Sequence, residues 1–376
     1  MKRKASICCM TGCGFVVAAA VAVWISSRPK SLLDYATPVA NTFDWAPGTA
    51  RNRPYLQFCW LSPTEVLYAR SEDGLRMRLM RKRIDRRAEP PVQLPLTVPA
   101  WSVNWQVSPD GRSLSWLELP QSPPWTPLSM SQIRCVEATL DGTRIRSIQP
   151  RELHTAWSAD SKSVLSIISS TTGRPGGPLA LRSPLSSGKP EQIPLSRPAT
   201  WIDGSMPAPG PLIALHHFPD GRLRIVKNGL FIIRPPAGQT GGAANTNGLD
   251  FADYDLNHPS LPPQTWKAKP PPDIDYGSAI VSPQGDRLFW QAGKTTVSPL
   301  EDLIHRAFPS FKVHPQRFAK LFVSDIRGNG MHEIAAYRTQ AVSQRTPGVS
   351  SPPQWTPDGK NISFAMNGKL YTVPAD

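Results

Sequence analysis

Apolar positions in this chain recur as short alternating runs, each broken by a turn of similar composition. The clearest is QWTPDGKNISFAMNGKLYTVPAD, residues 354–376. Trp355 ends a short strand, and Thr356-Pro357-Asp358-Gly359 makes a tight turn: proline presets φ, the carboxylate bonds nearby backbone and glycine accepts a positive φ. Asn361 to Ala365 then alternates polar with apolar, Asn367-Gly368 is a hairpin signal, and Leu370 to Val373 returns as the next strand. Weaker copies run back to residue 57. SVNWQVSPDGRSLSWLEL repeats the turn at Asp110-Gly111, and YLQFCWLSPTEVLYARS repeats the strands after Trp60. HTAWSADSKSVLSIISS has Ser161 in the glycine slot, which predicts a turn type without positive φ there. A unit this small cannot bury its own apolar face and needs neighbours of the same kind.

A tryptophan column sets the repeat. Trp60, Trp105, Trp157 and Trp201 lie 45, 52 and 44 residues apart, and the same slot then falls at Val281 and Trp355. A period in the forties with four short strands per unit predicts an all-β, six-bladed β-propeller over residues 51–376. The last unit is one strand short, so Thr37 to Trp45 in the tether, residues 31–50, is expected to supply its outer strand and shut the ring, removing exposed edges. Unit four is read as three strands, from PLIALHH through RLRIVKN to LFII. Two insertions are expected, near 237–273 as a polar excursion and near 298–318 with a short helix capped by Ser298. A degenerate unit within 237–276 would instead make the ring seven-bladed.

Composition adds a location. Proline is 42 of 376 residues, which leaves little room for long helices. Residues 1–30 place Lys2, Arg3 and Lys4 ahead of an uncharged run from Ala5 to Ser27, long enough to cross a bilayer, with Trp24 at its far end. This predicts a retained signal anchor, with removal at Ala18-Ala19-Ala20 as the alternative. The expected location is the bacterial cytoplasmic membrane, single pass, with the propeller periplasmic or at the cell surface. Cys8, Cys9 and Cys13 fall inside the apolar run; Cys59 and Cys135 are read as buried free thiols rather than a disulfide. The formal charge of +14 concentrates in LRMRLMRKRIDRR, residues 75–87. The Arg76 to Arg87 strip offers an anionic surface a partner, although a solvated strand face that discourages edge pairing is the simpler reading. The topology argues against nucleic acid.

WTPDGKNISF from Trp355 and VSPDGRSLSW from Val107 closely resemble the repeat of the TolB-like, WD-repeat-like propeller family, and LFVSDIRGNGMHEI from Leu321 looks like its second half. The resemblance spans about residues 51–376, without the tryptophan-aspartate pairs of the eukaryotic WD group. It implies an exported bacterial protein that binds other proteins. The fold also occurs beside hydrolase domains in serine peptidases, but no Gly-x-Ser-x-Gly elbow is present.

No spacing of His, Cys and carboxylate suggests a metal, and no cofactor is expected. His216-His217 are consecutive on a strand and so face opposite sides. Asp253-Tyr-Asp255-Leu-Asn257 opens like a calcium loop, but His258-Pro259 replaces the required glycine. Asp110, Gly111, Asp358 and Gly359, with the tryptophan column, are read as structural. A ligand is expected at the channel mouth, where connections enter each innermost strand, which nominates Tyr55, Trp101, His154, Arg197, Asp275, Tyr276 and Gln354. The functional expectation is a non-enzymatic, membrane-tethered scaffold for a protein or peptide. The alternative is a propeller enzyme, of lyase or lactonase type, acting on an extracellular sugar or lactone.

Overall fold

A computed structural model describes residues 32–41, 58–71, 76–86, 88–99, 102–118, 134–143, 145–148, 155–168, 179–185, 188–196, 212–227, 230–232, 248–272, 274, 276–296, 303–304, 306–308, 316–339, 353–366 and 369–376. After a 3-10 turn at Leu32–Tyr35, β1 (Thr37–Asn41) leads into blade 1: β2 (Phe58–Ser62), β3 (Glu65–Ser71), β4 (Arg76–Arg83) and β5 (Val92–Pro99). Blade 2 is β6 (Ser102–Val107), β7 (Ser113–Glu118), β8 (Arg134–Thr139) and β9 (Ile145–Ile148). Blade 3 is β10 (Thr155–Trp157), β11 (Ser163–Ile168), β12 (Leu179–Pro184) and β13 (Glu191–Pro194). The next strands are β14 (Leu212–His217), β15 (Arg222–Lys227), β16 (Leu230–Ile232), β17 (Leu249–Asp255) and β18 (Gln264–Ala268). They are followed by β19 (Tyr276–Val281), β20 (Arg287–Thr296), β21 (Gln316–Asp325) and β22 (His332–Thr339), then β23 (Gln354–Trp355), β24 (Asn361–Met366) and β25 (Lys369–Pro374).

These strands make six antiparallel sheets, and the fold is an all-β, six-bladed propeller. Blade 6 runs β23, β24, β25, β1: Thr37 faces Thr372 and Asn41 faces Lys369, so a strand from ahead of blade 1 in the sequence completes the last blade. Leu32 of the 3-10 turn is buried in the apolar cluster between blades 5 and 6, and the Tyr35 hydroxyl donates to the Ala336 carbonyl at 2.9 Å.

The stretch 237–273 departs from its expected role as an insertion. Its residues form β17 and β18, which complete blade 4 as β14, β15, β17, β18. The expected third strand of that unit, LFII, instead supplies β16, which crosses to blade 5 and pairs with β19. The polar composition of the segment hid the alternation Leu249, Phe251, Asp253 on one face and Asp250, Ala252, Tyr254 on the other. Gly248 opens β17 with φ +75°, and a Cβ there would lie 2.0 Å from the Ala268 carbonyl oxygen. At the second insertion β20 and β21 extend to Thr296 and from Gln316; within it, Phe308 N–H donates to the Ile304 carbonyl at 2.7 Å, one helical turn.

The repeated turn holds by a fixed bonding scheme. In blade 6 the Thr356 hydroxyl donates to Asp358 Oδ1 at 2.6 Å and accepts from Asn361 N–H at 3.0 Å, while Lys360 N–H donates to the same carboxylate at 3.1 Å. Ser108 with Asp110, and Ser158 with Asp160, repeat the hydroxyl-to-carboxylate bond at 2.6 Å. In blade 5 the carboxylate has moved: Ser282 donates to Asp286 at 2.8 Å. Ser161 overturns the expectation for its turn, because it does adopt the left-handed region, with φ 61°. That conformation costs a non-glycine residue about 1 kcal/mol. The Ser161 Oγ offsets it by accepting from Asp110 N–H at 3.0 Å, a bond to the neighbouring blade that glycine could not make.

Residues 1–31, where the signal anchor is expected, and Trp201 lie outside the described residues. Among the described residues no helix is long and apolar enough to cross a membrane. Cys59 and Cys135 are both free and buried.

Candidate functional site: the inner wall of the ring

The first strand of each sheet lies innermost, and these strands close the wall by polar clamps. Gln354 Nε2 donates to the Phe58 carbonyl at 2.8 Å, joining blade 6 to blade 1, and Gln106 Nε2 donates to the Thr155 carbonyl at 2.8 Å, joining blade 2 to blade 3. The tryptophan column works the other way round the ring: Trp157 Nε1 donates to the Gln106 carbonyl and Trp355 Nε1 to the Ile280 carbonyl, both at 3.0 Å. Trp60 reaches Ser363 Oγ at 2.8 Å. Trp157 and Trp355 thus satisfy backbone carbonyls of the neighbouring blade and Trp60 meets a neighbouring hydroxyl, whereas Trp105 Nε1 donates within its own strand to Ser102 Oγ at 3.0 Å.

The turns that follow the innermost strands are linked into a chain on one end of the ring. Asp110 N–H bonds Ser161, Ala159 N–H donates to His217 Nδ1 at 2.9 Å, and Gln284 Nε2 donates to the Pro357 carbonyl at 2.8 Å. Between blades 4 and 5 the link is ionic. Arg224 forms a two-pronged pair with Asp253, at 2.7 and 2.6 Å, and donates a third bond to the Gly285 carbonyl. Its guanidinium lies 4.9 Å from the ring centres of both Phe218 and Trp266. His216 sits edge-on to Phe218 at 4.4 Å on this same side; burial, and then the Arg224 charge, push its pKa down to about 4. His217 faces blade 3 and is also lowered, mainly by burial. A side-chain network whose donors and acceptors are already matched is a fastener and leaves little chemistry free.

One innermost edge is used differently. β16 pairs antiparallel with β19, Leu230 facing Ser278, Phe231 facing Gly277 and Ile232 facing Tyr276, while the other edge of β19 pairs with β20. Blade 5 is therefore five-stranded, with the extra strand on the channel side. Gly277, facing Phe231, is buried.

Of the nominated mouth residues, Tyr55, Trp101, His154, Arg197 and Asp275 lie outside the described residues. Tyr276 is in β19 opposite Ile232, and Gln354 is the clamp onto Phe58. Asp253 and Asp255 do not form a cation loop: Asp253 is the partner of Arg224, and Asp255 accepts from Asn257 N–H and meets His258 Nδ1, both at 2.9 Å. Among the described residues no three His, Cys, Asp or Glu side chains gather as a metal site requires. The basic strip is largely engaged: Arg78 bonds Gln93, Arg81 meets Glu65, Arg83 grips Asp85 with two bonds and Arg86 meets Glu89. The Arg224 cluster and the β16 edge carry no local motif. Their nearest sequence signal is the pair of alternations Arg222-Leu-Arg224 and Asp253-Tyr-Asp255, which place opposite charges at facing register positions.

No protein-family model matches the chain, and none of the curated proteins matches it. Similar solved structures include the tricorn protease, at 11% identity and a TM-score of 0.40, covering 83% of this chain but only 28% of that one. An oligogalacturonate lyase from Vibrio parahaemolyticus is similar at 11% identity and a TM-score of 0.41, covering 86% of this chain and 90% of the lyase. The β-propeller domain of the Trilobed protease from Pyrococcus furiosus is similar at 10% identity and a TM-score of 0.38, covering 86% of each chain. At such scores the likeness carries no argument about activity. The chain is a β-propeller by its six sheets, their inter-blade clamps and the closure of β1 on β25.

Proposed function

We propose that this chain is a membrane-tethered, extracytoplasmic binding propeller that takes an extended segment of a protein or peptide partner at its channel. The observation that carries the reading is β16: a short apolar piece of the chain's own sequence runs as an added strand along the inner edge of blade 5. Strand addition is a general mode of peptide capture, in which main-chain bonds give affinity and neighbouring side chains select sequence. The clamped state of the inner wall also favours a scaffold, since Gln106, Gln354 and the tryptophans are spent on holding blades together. The TolB-like turn repeats support a binding role, and the uncharged run after Lys2, Arg3 and Lys4 supports the tether.

The test is a photo-crosslinking amino acid placed at Ser278 of the full chain in membranes, with a second placed at the remote surface position Glu191. A partner captured at 278 and absent at 191 is the expected result. Failure to capture any protein at 278, together with turnover of oligogalacturonides or lactones by the purified chain, would replace this reading with the enzymatic one.

A further inference from the structure

Apolar clusters among the described residues join blades 1 and 2, 3 and 4, 4 and 5, 5 and 6, and 6 and 1. The joint between blades 2 and 3 is built otherwise. On blade 2, Leu114, Trp116, Val136 and Ala138 are committed to the blade 1 side. The alternating residues Ser113, Ser115, Leu117, Cys135 and Glu137 therefore face blade 3, and all are buried. On blade 3, Ala156, Leu165, Ile167 and Ala180 are committed to blade 4, which leaves buried Thr155, Trp157, Val164, Ser166 and Ser183 facing back. Thr155 lies across the gap from the Cys135 thiol and slightly offsets the rise that burial gives its pKa.

Glu137 lies in the middle of this joint, opposite Ser115 on one neighbouring strand and Arg146 on the other. It is 1% exposed, and neither carboxyl oxygen has a hydrogen-bond partner. Arg146, its facing residue, sends its guanidinium across the joint to the Pro184 carbonyl of blade 3 instead. A buried ionised carboxylate without a bonding partner is strongly unfavourable, whereas the neutral acid is tolerable. In the closed joint the Arg146 bond goes to Pro184 and none goes to Glu137, so the carboxyl meets that charge only at a distance.

We propose that Glu137 makes the joint between blades 2 and 3 a proton-operated latch, closed while the carboxyl is neutral and opened when its ionisation draws Arg146 off Pro184 and admits water. Burial pushes the Glu137 pKa up to about 7, against the smaller opposing pull of Arg146. The charged or titratable groups facing it are Arg146 on β9 and the Cys135 thiol on β8, itself pushed up to about 12. From blade 3 the described buried residues facing back are Thr155, Trp157, Val164, Ser166 and Ser183, none of which ionises in this range. The sign follows: a raised carboxyl pKa favours the closed joint below the ordinary value near 4.5, and that preference is lost as pH rises through about 7.

The two described cysteines report separately on two joints, because Cys59 belongs to the apolar cluster between blades 1 and 2. In the full chain, peptide-resolved maleimide labelling from pH 5.5 to 8 gives the ratio of Cys135 to Cys59 modification. Taking the ratio removes the shared pH dependence of thiolate reactivity. It is expected to rise on the order of tenfold over this range in the wild type, since opening returns Glu137 to its ordinary acidity. In Glu137→Gln the ratio is expected to stay flat. A flat ratio in the wild type overturns the latch, whether or not the variant folds. So does a rise of the same size in Glu137→Gln.

Discussion

The Arg224–Asp253 pair offers the sharpest quantitative test of how blades 4 and 5 are held. Their side chains are 7% and 5% exposed, joined by two bonds at 2.6 and 2.7 Å. The guanidinium is also enclosed by Phe218 and Trp266 and bonded to the Gly285 carbonyl of the next blade. Asp253→Ala leaves a buried cation held by aromatic faces and one carbonyl with no anion to neutralise it among the described residues' bonds, and is expected to lose about 3–5 kcal/mol. Replacing both, as Arg224→Leu with Asp253→Leu, removes the unpaired charge and is expected to recover most of that loss. The matched surface control is Lys320–Glu333, at 3.0 Å with side chains 30% and 39% exposed; Glu333→Gln is expected to change stability by less than about 1 kcal/mol. Urea unfolding followed by tryptophan fluorescence reads all of these, with a constant slope showing that the same transition is compared. If Asp253→Ala shifts the midpoint no further than Glu333→Gln, or the double variant is worse than either single one, the pair does not fasten the two blades.

Three further outcomes follow from the geometry. Gly248→Ala puts a methyl group against the Ala268 carbonyl at a positive φ and is expected to lower stability by roughly 2 kcal/mol or more, measured as a fall in Tm. His216 has its pKa lowered to about 4 from 6.5, so its contribution is present above pH 6.5 and lost as pH falls toward 4; His216→Phe is expected to remove up to about 3 kcal/mol of that acid sensitivity, read as the difference in urea midpoint between pH 7 and 4.5. Deleting residues 32–41 strips Leu32 from its cluster and leaves the outer edge of β25 unpaired, with an expected lower Tm and concentration-dependent aggregation in light scattering.

The repeated turns were legible because their causes are local. Thr356, Asp358 and Gly359 bond within six residues of one another, so the pattern is written in order along the chain. The tryptophan column was legible for a related reason: Trp60, Trp157 and Trp355 each donate to an acceptor in the adjacent blade, and that arrangement recurs with the repeat. What could not be read were choices made by distant partners. Leu230 to Ile232 looks equally good as a third strand of blade 4 or as an added strand of blade 5, and only the presence of β17 decides between them. Asp253 reads locally as part of a loop because its partner, Arg224, lies 29 residues away. The positive φ of Ser161 has no local sign, since the bond that justifies it comes from Asp110 in another repeat. Glu137 gives no sequence signal at all: it is one polar residue in an alternating strand, and its isolation comes from what blade 3 fails to offer.

The pairing of Thr37–Asn41 with Lys369–Pro374 also fixes an order of events. A ribosome releases the first of these segments long before the second exists, so the early strand has no native edge to join while the intervening blades are being made. Circularisation must therefore wait for the end of synthesis, and whatever keeps the early strand from false partners in the meantime bears on the yield of finished protein.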